Sequence, residues 1–224
     1  MKRLALGLAA VALLLGVSGT PAGAAGPLDT AKAALVARID LRLGQLSRLG
    51  SEIGGAAHLT DAHRQTLTTL VNTETTAMGS LKDQAAAAAD GRALAVVAEA
   101  MIRDHRIYLL VTPEVHMGIV LDRLDALTAD LTAKGPLLDA RISKAEAAGK
   151  DTSKAMTAKA AFDGDLAGAG AATTDRFDKL LALTPAGYPG NRSKLIAVRT
   201  SITDARGADA DAIVQAKLIV SLTS

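Results

Sequence analysis

Residues 101–123 read MIRDHRIYLLVTPEVHMGIVLDR. Four polar residues in a row, Arg103 to Arg106, interrupt an apolar run. On an α-helix each residue turns the chain by about 100°, so four consecutive residues point in all directions around the axis. Ala98, Ala100, Met101 and Ile102 precede them and Ile107 to Val111 follow, so at least one of the four faces a packed side. A buried polar group without a partner costs roughly 1–3 kcal/mol, and a partner from another helix is therefore expected. Glu99 and Arg103 are spaced to pair across one turn. Pro113 removes a backbone donor and disfavours the α region for Thr112. Two readings fit. One long helix kinks here, or a new helix starts with Thr112 as N-cap, Pro113 at its first position and Glu114 in its first turn. Apolar residues continue on both sides without a turn-forming stretch, which favours a kink or tight joint.

Outward from this stretch the chain reads as helical. Alanine, the best helix former, is abundant, and alternating β-branched runs are nearly absent. A first helix is expected from about Leu28 to Ile53, with Leu35, Ile39, Leu41, Leu43, Leu46 and Leu49 in helical spacing and Gly54-Gly55 at its end. A second starts after Thr60 and reaches about Ala89, and Asp90 caps the next. The third segment runs from Arg92 through the central stretch. Its stripe continues as Val120, Leu124, Leu127, Leu131, Leu138 and Ile142, a kink is open at Gly135-Pro136, and Gly149 is the stop. A further helix spans about Asp151 to Leu183. Its Gly164, Gly168 and Gly170 suggest a break, a mobile stretch or a very close helix–helix approach. The loop Thr184 to Asn191 precedes a last helix to about Leu222, with Leu195, Val198, Ile202, Ile213, Leu218 and Val220 as its stripe and an interruption open at Gly207. The expected fold is all-α: an elongated up-and-down bundle of five to six long helices with coiled-coil-like packing. Residues 25–224 form one domain, with a weak division suggested near Gly149.

The N-terminus carries a different signal. Lys2 and Arg3 precede the apolar run Leu4 to Val17, and Ala22-Gly23-Ala24 gives an A-x-A cleavage site. Residues 1–24 read as a secretory signal peptide, so the protein is expected outside the cell or in the cell envelope. The full chain has 25 Lys and Arg against 23 Asp and Glu. Lys2 and Arg3 supply that excess, so the processed chain is formally neutral. No basic block remains to bind nucleic acid. The apolar run is shorter than the roughly 20 residues of a membrane span, and no integral span is expected in the processed chain. With no cysteine, thiolate catalysis, thiolate metal sites and disulfides are excluded.

Candidate ligand-binding residues lie in the central stretch: Asp104, His105, Arg106, Tyr108 and His116. A bundle interior can house such a site. Eleven residues along one helix separate the two histidines by about 16 Å, too far for one metal to touch both. His58 and His63 diverge by about 140° if helical, and solvated surface positions suit them better. Asp163 and Asp165 flank Gly164 like a fragment of a calcium loop, but the remaining ligand positions do not follow. No phosphate loop, dinucleotide fingerprint, nucleophile elbow or metalloprotease motif occurs, so no catalytic residue, metal or cofactor is expected.

The segment from Arg103 to Arg123 resembles a recurring segment in uncharacterised secreted helical proteins of actinobacteria. Asp104, Arg106, Pro113, Asp122 and Arg123 carry the likeness, over about twenty residues. It implies a signal peptide followed by long helices and assigns no residue a role. The leading reading is an exported, non-enzymatic helical bundle with an envelope-associated or structural role, its partner a protein or envelope component. The alternative is a bundle that binds a small ligand or metal near residues 104–116.

Overall fold

The computed structural model of the chain describes residues 26–224. The signal peptide expected at residues 1–24 lies outside them. Eight α-helices follow in order: α1 (Pro27–Gly55), α2 (Asp61–Ala87), α3 (Gly91–Arg103), α4 (Thr112–Thr132), α5 (Gly135–Ala147), α6 (Ser153–Thr173), α7 (Arg176–Leu181) and α8 (Asn191–Leu222). There is no strand among the described residues, so the class is all-α. Five helices, α1, α2, α4, α6 and α8, run to 21 residues or more and make up the bundle. No described helix is long and apolar enough to cross a membrane.

The helix ends follow local chemistry. The Thr60 side chain accepts the His63 N–H at 3.3 Å, and Asp90 accepts the Ala93 N–H at 2.8 Å, each supplying an orphan donor of a first turn. Gly149 ends α5 at φ +79°, where the Gly149 N–H reaches the Glu146 carbonyl and the Lys150 N–H that of Ala145. The short link 56–60 turns α2 back along α1. Arg64 holds that link: its guanidinium donates to the carbonyls of Ile53, Gly54, Ala56 and Leu59. Ile53 and Gly54 lie in the last turn of α1, whose carbonyls have no partner four residues on, and Ala56 and Leu59 belong to the link itself.

Buried residues fall into two clusters. The first joins α1, α2, α3, the first part of α4, α7 and the first part of α8, with Ile39, Leu46, Leu67 and Met78 fully enclosed. The second joins the end of α4, α5, α6 and the end of α8 around Phe162. Helices α4 and α8 contribute to both.

Several expected boundaries move. The third segment breaks twice, after Arg103 and between Thr132 and Gly135. The chain breaks before Pro113, and a new helix does start there, with Pro113 and Glu114 in its first turn; Thr112 is its first residue rather than its cap. Arg106 turns left-handed at φ 34°, a π-helical turn covers Ile107–Val111, and α4 follows with Thr112 already in the α region. The reversal at Arg106 has re-aimed the chain, so Pro113 falls at the second position of a helix that needs no donor there. The glycines of α6 do not break it. A Cβ at Gly164, Gly168 or Gly170 would meet nothing within 4 Å, so neither crowding nor close approach accounts for them. The chain turns instead at Asp175, φ 57°. Gly207 leaves α8 uninterrupted. Leu41 on α1 and Leu127 on α4 are exposed. Leu218 and Val220 also face solvent, because the buried stripe of α8 runs through Ala205, Asp209 and Ala212 to Ile219.

Candidate functional site

The joint between α3 and α4 distributes its polar side chains. Asp104 closes α3 and is exposed. His105 Nδ1 lies 2.8 Å from Glu74 Oε2 of α2. Arg106 donates from Nε to the Pro185 carbonyl at 3.2 Å and sits 4.2 Å from the centre of the Tyr188 ring, a cation–π contact with the loop before α8. Tyr108 is exposed, and Arg42 of α1 lies 5.4 Å from its ring centre. His116 Nε2 lies 2.9 Å from Glu52 Oε2 of α1 and is also exposed. Four of the five residues singled out in the sequence, His105, Arg106, Tyr108 and His116, thus meet partners on α1, on α2 and in the loop at 185–188, rather than one another. Glu99 and Arg103 pair on the surface at 2.5 Å.

Beneath this joint is an acid that sequence reading passed over. Glu114 is 2% exposed, and its Oε1 has no partner among the described residues. Burial pushes its carboxyl up to about 8, and the nearby Glu74 carboxylate adds to the rise. Burial raises Glu74 as well, against the hydrogen bond and charge of His105. Two carboxylates in one dry place do not both ionise readily, so Glu114 carries its proton at neutral pH.

A concavity lies elsewhere. A cleft of about 690 Å³ lies between the C-terminal half of α4 and the α6–α7 turn, with His63 of α2 in its lining. His63 is held on two sides. Its Nδ1 lies 2.6 Å from Asp122 Oδ1, while the other Asp122 oxygen accepts the Thr60 N–H at 2.7 Å. Its ring stacks on Phe177 with centroids 3.4 Å apart and planes 10° from parallel. Gly118 makes room for this pair: a Cβ there would stand 3.0 Å from Phe177 and 3.3 Å from Leu67. His63 was expected on a solvated surface; it is an interhelical tie whose partner is 59 residues away.

Carboxylates dominate the charge of the cleft. Asp125 lines the α4 wall and Asp175 and Asp178 the opposite one, and no Lys or Arg lines it among the described residues. Behind the α4 wall stands Asp209 of α8, 1% exposed. Its Oδ1 accepts the hydroxyl of Thr128, a lining residue, at 2.9 Å, and its Oδ2 has no partner among the described residues. Burial pushes this carboxyl up; the Thr128 hydrogen bond opposes the rise and Asp125 reinforces it. No group of three or more His, Cys, Asp or Glu is placed to hold a metal ion among the described residues.

Glu74 and Asp209 had a signal in the sequence. Each lies in a heptad stripe: Leu67, Val71, Glu74, Met78 and Leu81 on α2, and Val198, Ile202, Ala205, Asp209 and Ala212 on α8. An acid at such a position is buried whenever the stripe is. The His63–Phe177 stack has no local signal. Comparison with protein-family models, with curated proteins and with solved structures finds no match for this chain.

Proposed function

We propose that this is an exported, non-enzymatic helical-bundle protein of the cell envelope that acts by binding. One observation carries the reading. Three histidines are each engaged by a carboxylate of another helix, His63 by Asp122, His105 by Glu74 and His116 by Glu52. The side chains best suited to acid–base chemistry are thereby used as ties between helices, and the open concavity is lined by groups that accept hydrogen bonds. The N-terminal charge, apolar run and A-x-A site support export. The likeness of residues 103–123 to secreted actinobacterial proteins points to the same compartment.

The test is fractionation of the producing host followed by intact-mass measurement. A chain starting at Ala25 in the medium or envelope fraction is the expected result. A chain found in the cytoplasm with its first residues retained would overturn the reading.

A further inference from the structure

We propose that a groove where α4, α5, α6 and α8 meet binds the aliphatic chain of a single-chain fatty acid, whose carboxylate is met by Lys134 and Lys217. The inference rests on reading this protein as a binding protein and names the ligand chemistry. The groove has a volume of about 330 Å³. Small-molecule sites run from about 300 to 1,000 Å³ and are mostly apolar. Leu131 of α4, Leu138 of α5, Phe162 of α6 and Ala216 and Val220 of α8 line it, and none of these side chains carries a polar atom. Phe162, the innermost, is fully buried. The gap has a cause in the sequence. Ile213, Ala216 and Val220 share one face of α8 at spacings of three and four. The middle residue is an alanine, and its methyl leaves empty the space that a larger side chain would fill.

Charge complementarity is the second support and selects the head group. Lys134 and Lys217 are the charged members of the lining, and no Asp or Glu lines the groove among the described residues. Neither lysine forms an ion pair there. Lys134 donates to the Asp130 carbonyl at 3.2 Å, a contact that leaves its charge uncompensated. A third lysine near the groove behaves differently. Lys159 lies 5.9 Å from the centre of the Phe162 ring and is neutralised by Asp139 and Asp163. An apolar trough beside two uncompensated cations fits an aliphatic chain that ends in an anion. Its size argues against a protein occupant. A stable protein partner covers about 800 Å² and 20–30 residues on each side, whereas seven residues line this groove. One such trough also suits one chain rather than the two of a membrane lipid.

The experiment is calorimetric titration of the full chain, recovered from its host and freed of bound lipid, with decanoate below its micelle-forming concentration. The expected result is saturable binding of one decanoate per chain. Octanoate should bind about three- to tenfold more weakly, because each buried methylene adds to affinity. Ala216→Leu fills the groove and should weaken decanoate about tenfold or more without lowering the thermal midpoint. The double substitution Lys134→Gln with Lys217→Gln should weaken decanoate about fivefold and leave decanol within about twofold, since exposed ion pairs are individually weak. Lys144→Gln on α5, exposed and outside the lining, should leave both ligands within about twofold. Absence of saturation would overturn the proposal. So would equal affinity for octanoate and decanoate, or undiminished binding by Ala216→Leu. Adsorption to phosphatidylglycerol vesicles without saturable decanoate binding would assign the lysines to a membrane surface and overturn it too. Any of these failures in an exported chain removes the ligand assignment alone; a cytoplasmic chain removes the functional reading whatever the titration shows.

Discussion

Ile39, Leu46, Leu49, Leu67 and Met78 fill the first core, and few of its positions are alanine. The second is built differently. Ala155, Ala158 and Ala212 make up a third of its nine buried positions, and Phe162 is its one large ring. Large aliphatic side chains each contribute about 1.5–3 kcal/mol when buried, whereas an alanine methyl contributes much less. The first core therefore has apolar burial in reserve and tolerates buried acids such as Glu74, Glu114 and Asp122. At the second, Lys159 bridges Asp139 of α5 at 3.2 Å and Asp163 of its own helix at 2.8 Å near the surface, and one buried acid, Asp209, stands where the two cores meet, between Ala205 and Ala212. A core with large side chains can bury charge-bearing groups; a core of alanines depends on its few large members.

Phe162→Ala tests that contrast most severely. Phe162 is fully buried, and its truncation should cost about 3–5 kcal/mol. Hydrogen exchange should then accelerate in α5, α6 and the end of α8 while α1 and α2 stay protected. Uniform loss of protection along the chain would show that the two cores melt as one unit. Leu67→Ala, in the first core, should cost about 2–5 kcal/mol and act on global unfolding.

Glu114 probes how the first core carries its acids. Its carboxyl moves from an ordinary value of 4.5 to about 8 on folding. Between those values the folded state holds a proton that the unfolded chain has released, so stability falls as pH rises. The slope is at most about 1.4 kcal/mol per pH unit, or about 2–3 kcal/mol between pH 5 and 7. The contribution is fully present below about 4.5 and lost through about 8. Glu114→Gln keeps the shape and removes the titration. Urea unfolding should show the variant gaining on the native protein as pH rises through that window. A constant difference across pH would mean that Glu114 is ionised in the folded state.

Arg64 probes the ends of helices rather than their faces. Its guanidinium serves four carbonyls at the α1–α2 link. Arg64→Ala should cost about 1.5–3 kcal/mol, read as a lowered urea midpoint, because hydrogen bonds from a charged donor are stronger than neutral ones. A change of only a few tenths would show that water replaces the guanidinium at the end of α1.

What the sequence makes legible follows from how local each cause is. The caps at Thr60 and Asp90 and the stop at Gly149 depend on residues within a turn, and all three are read directly. The stripe of α1 through Leu35, Ile39, Leu46 and Leu49 is equally plain. Counting bulky residues fails where alanines face the core, which is why Leu218 and Val220 look buried in sequence and face solvent in the fold. The left-handed Arg106 is illegible because its anchors, Pro185 and Tyr188, lie some 80 residues away. The cleft combines both cases. Asp209 announces itself by its place in a heptad, while the His63–Phe177 stack depends on α7 folding back onto α2 beside Gly118.

The glycines of α6 give the smallest effect and sharpen the contrast between the cores from the outside. Gly164 and Gly168 are helical and exposed, and a Cβ at either would stand in open space. Each therefore weakens α6 without serving a contact. Replacing a helical glycine by alanine stabilises by up to about 1 kcal/mol, partly by restricting the unfolded chain. Gly164→Ala and Gly168→Ala should raise stability by that order, nearly additively, since neither side chain touches a shared partner. Gly118→Ala, at the first core, should do the reverse, because its methyl would press on Phe177 at 3.0 Å. The same chemical change then has opposite signs at two helical sites, set by the presence or absence of a neighbour. Thermal midpoints of the three variants decide it. Equal signs would mean that the Phe177 ring yields freely and that the His63 stack is not tightly held.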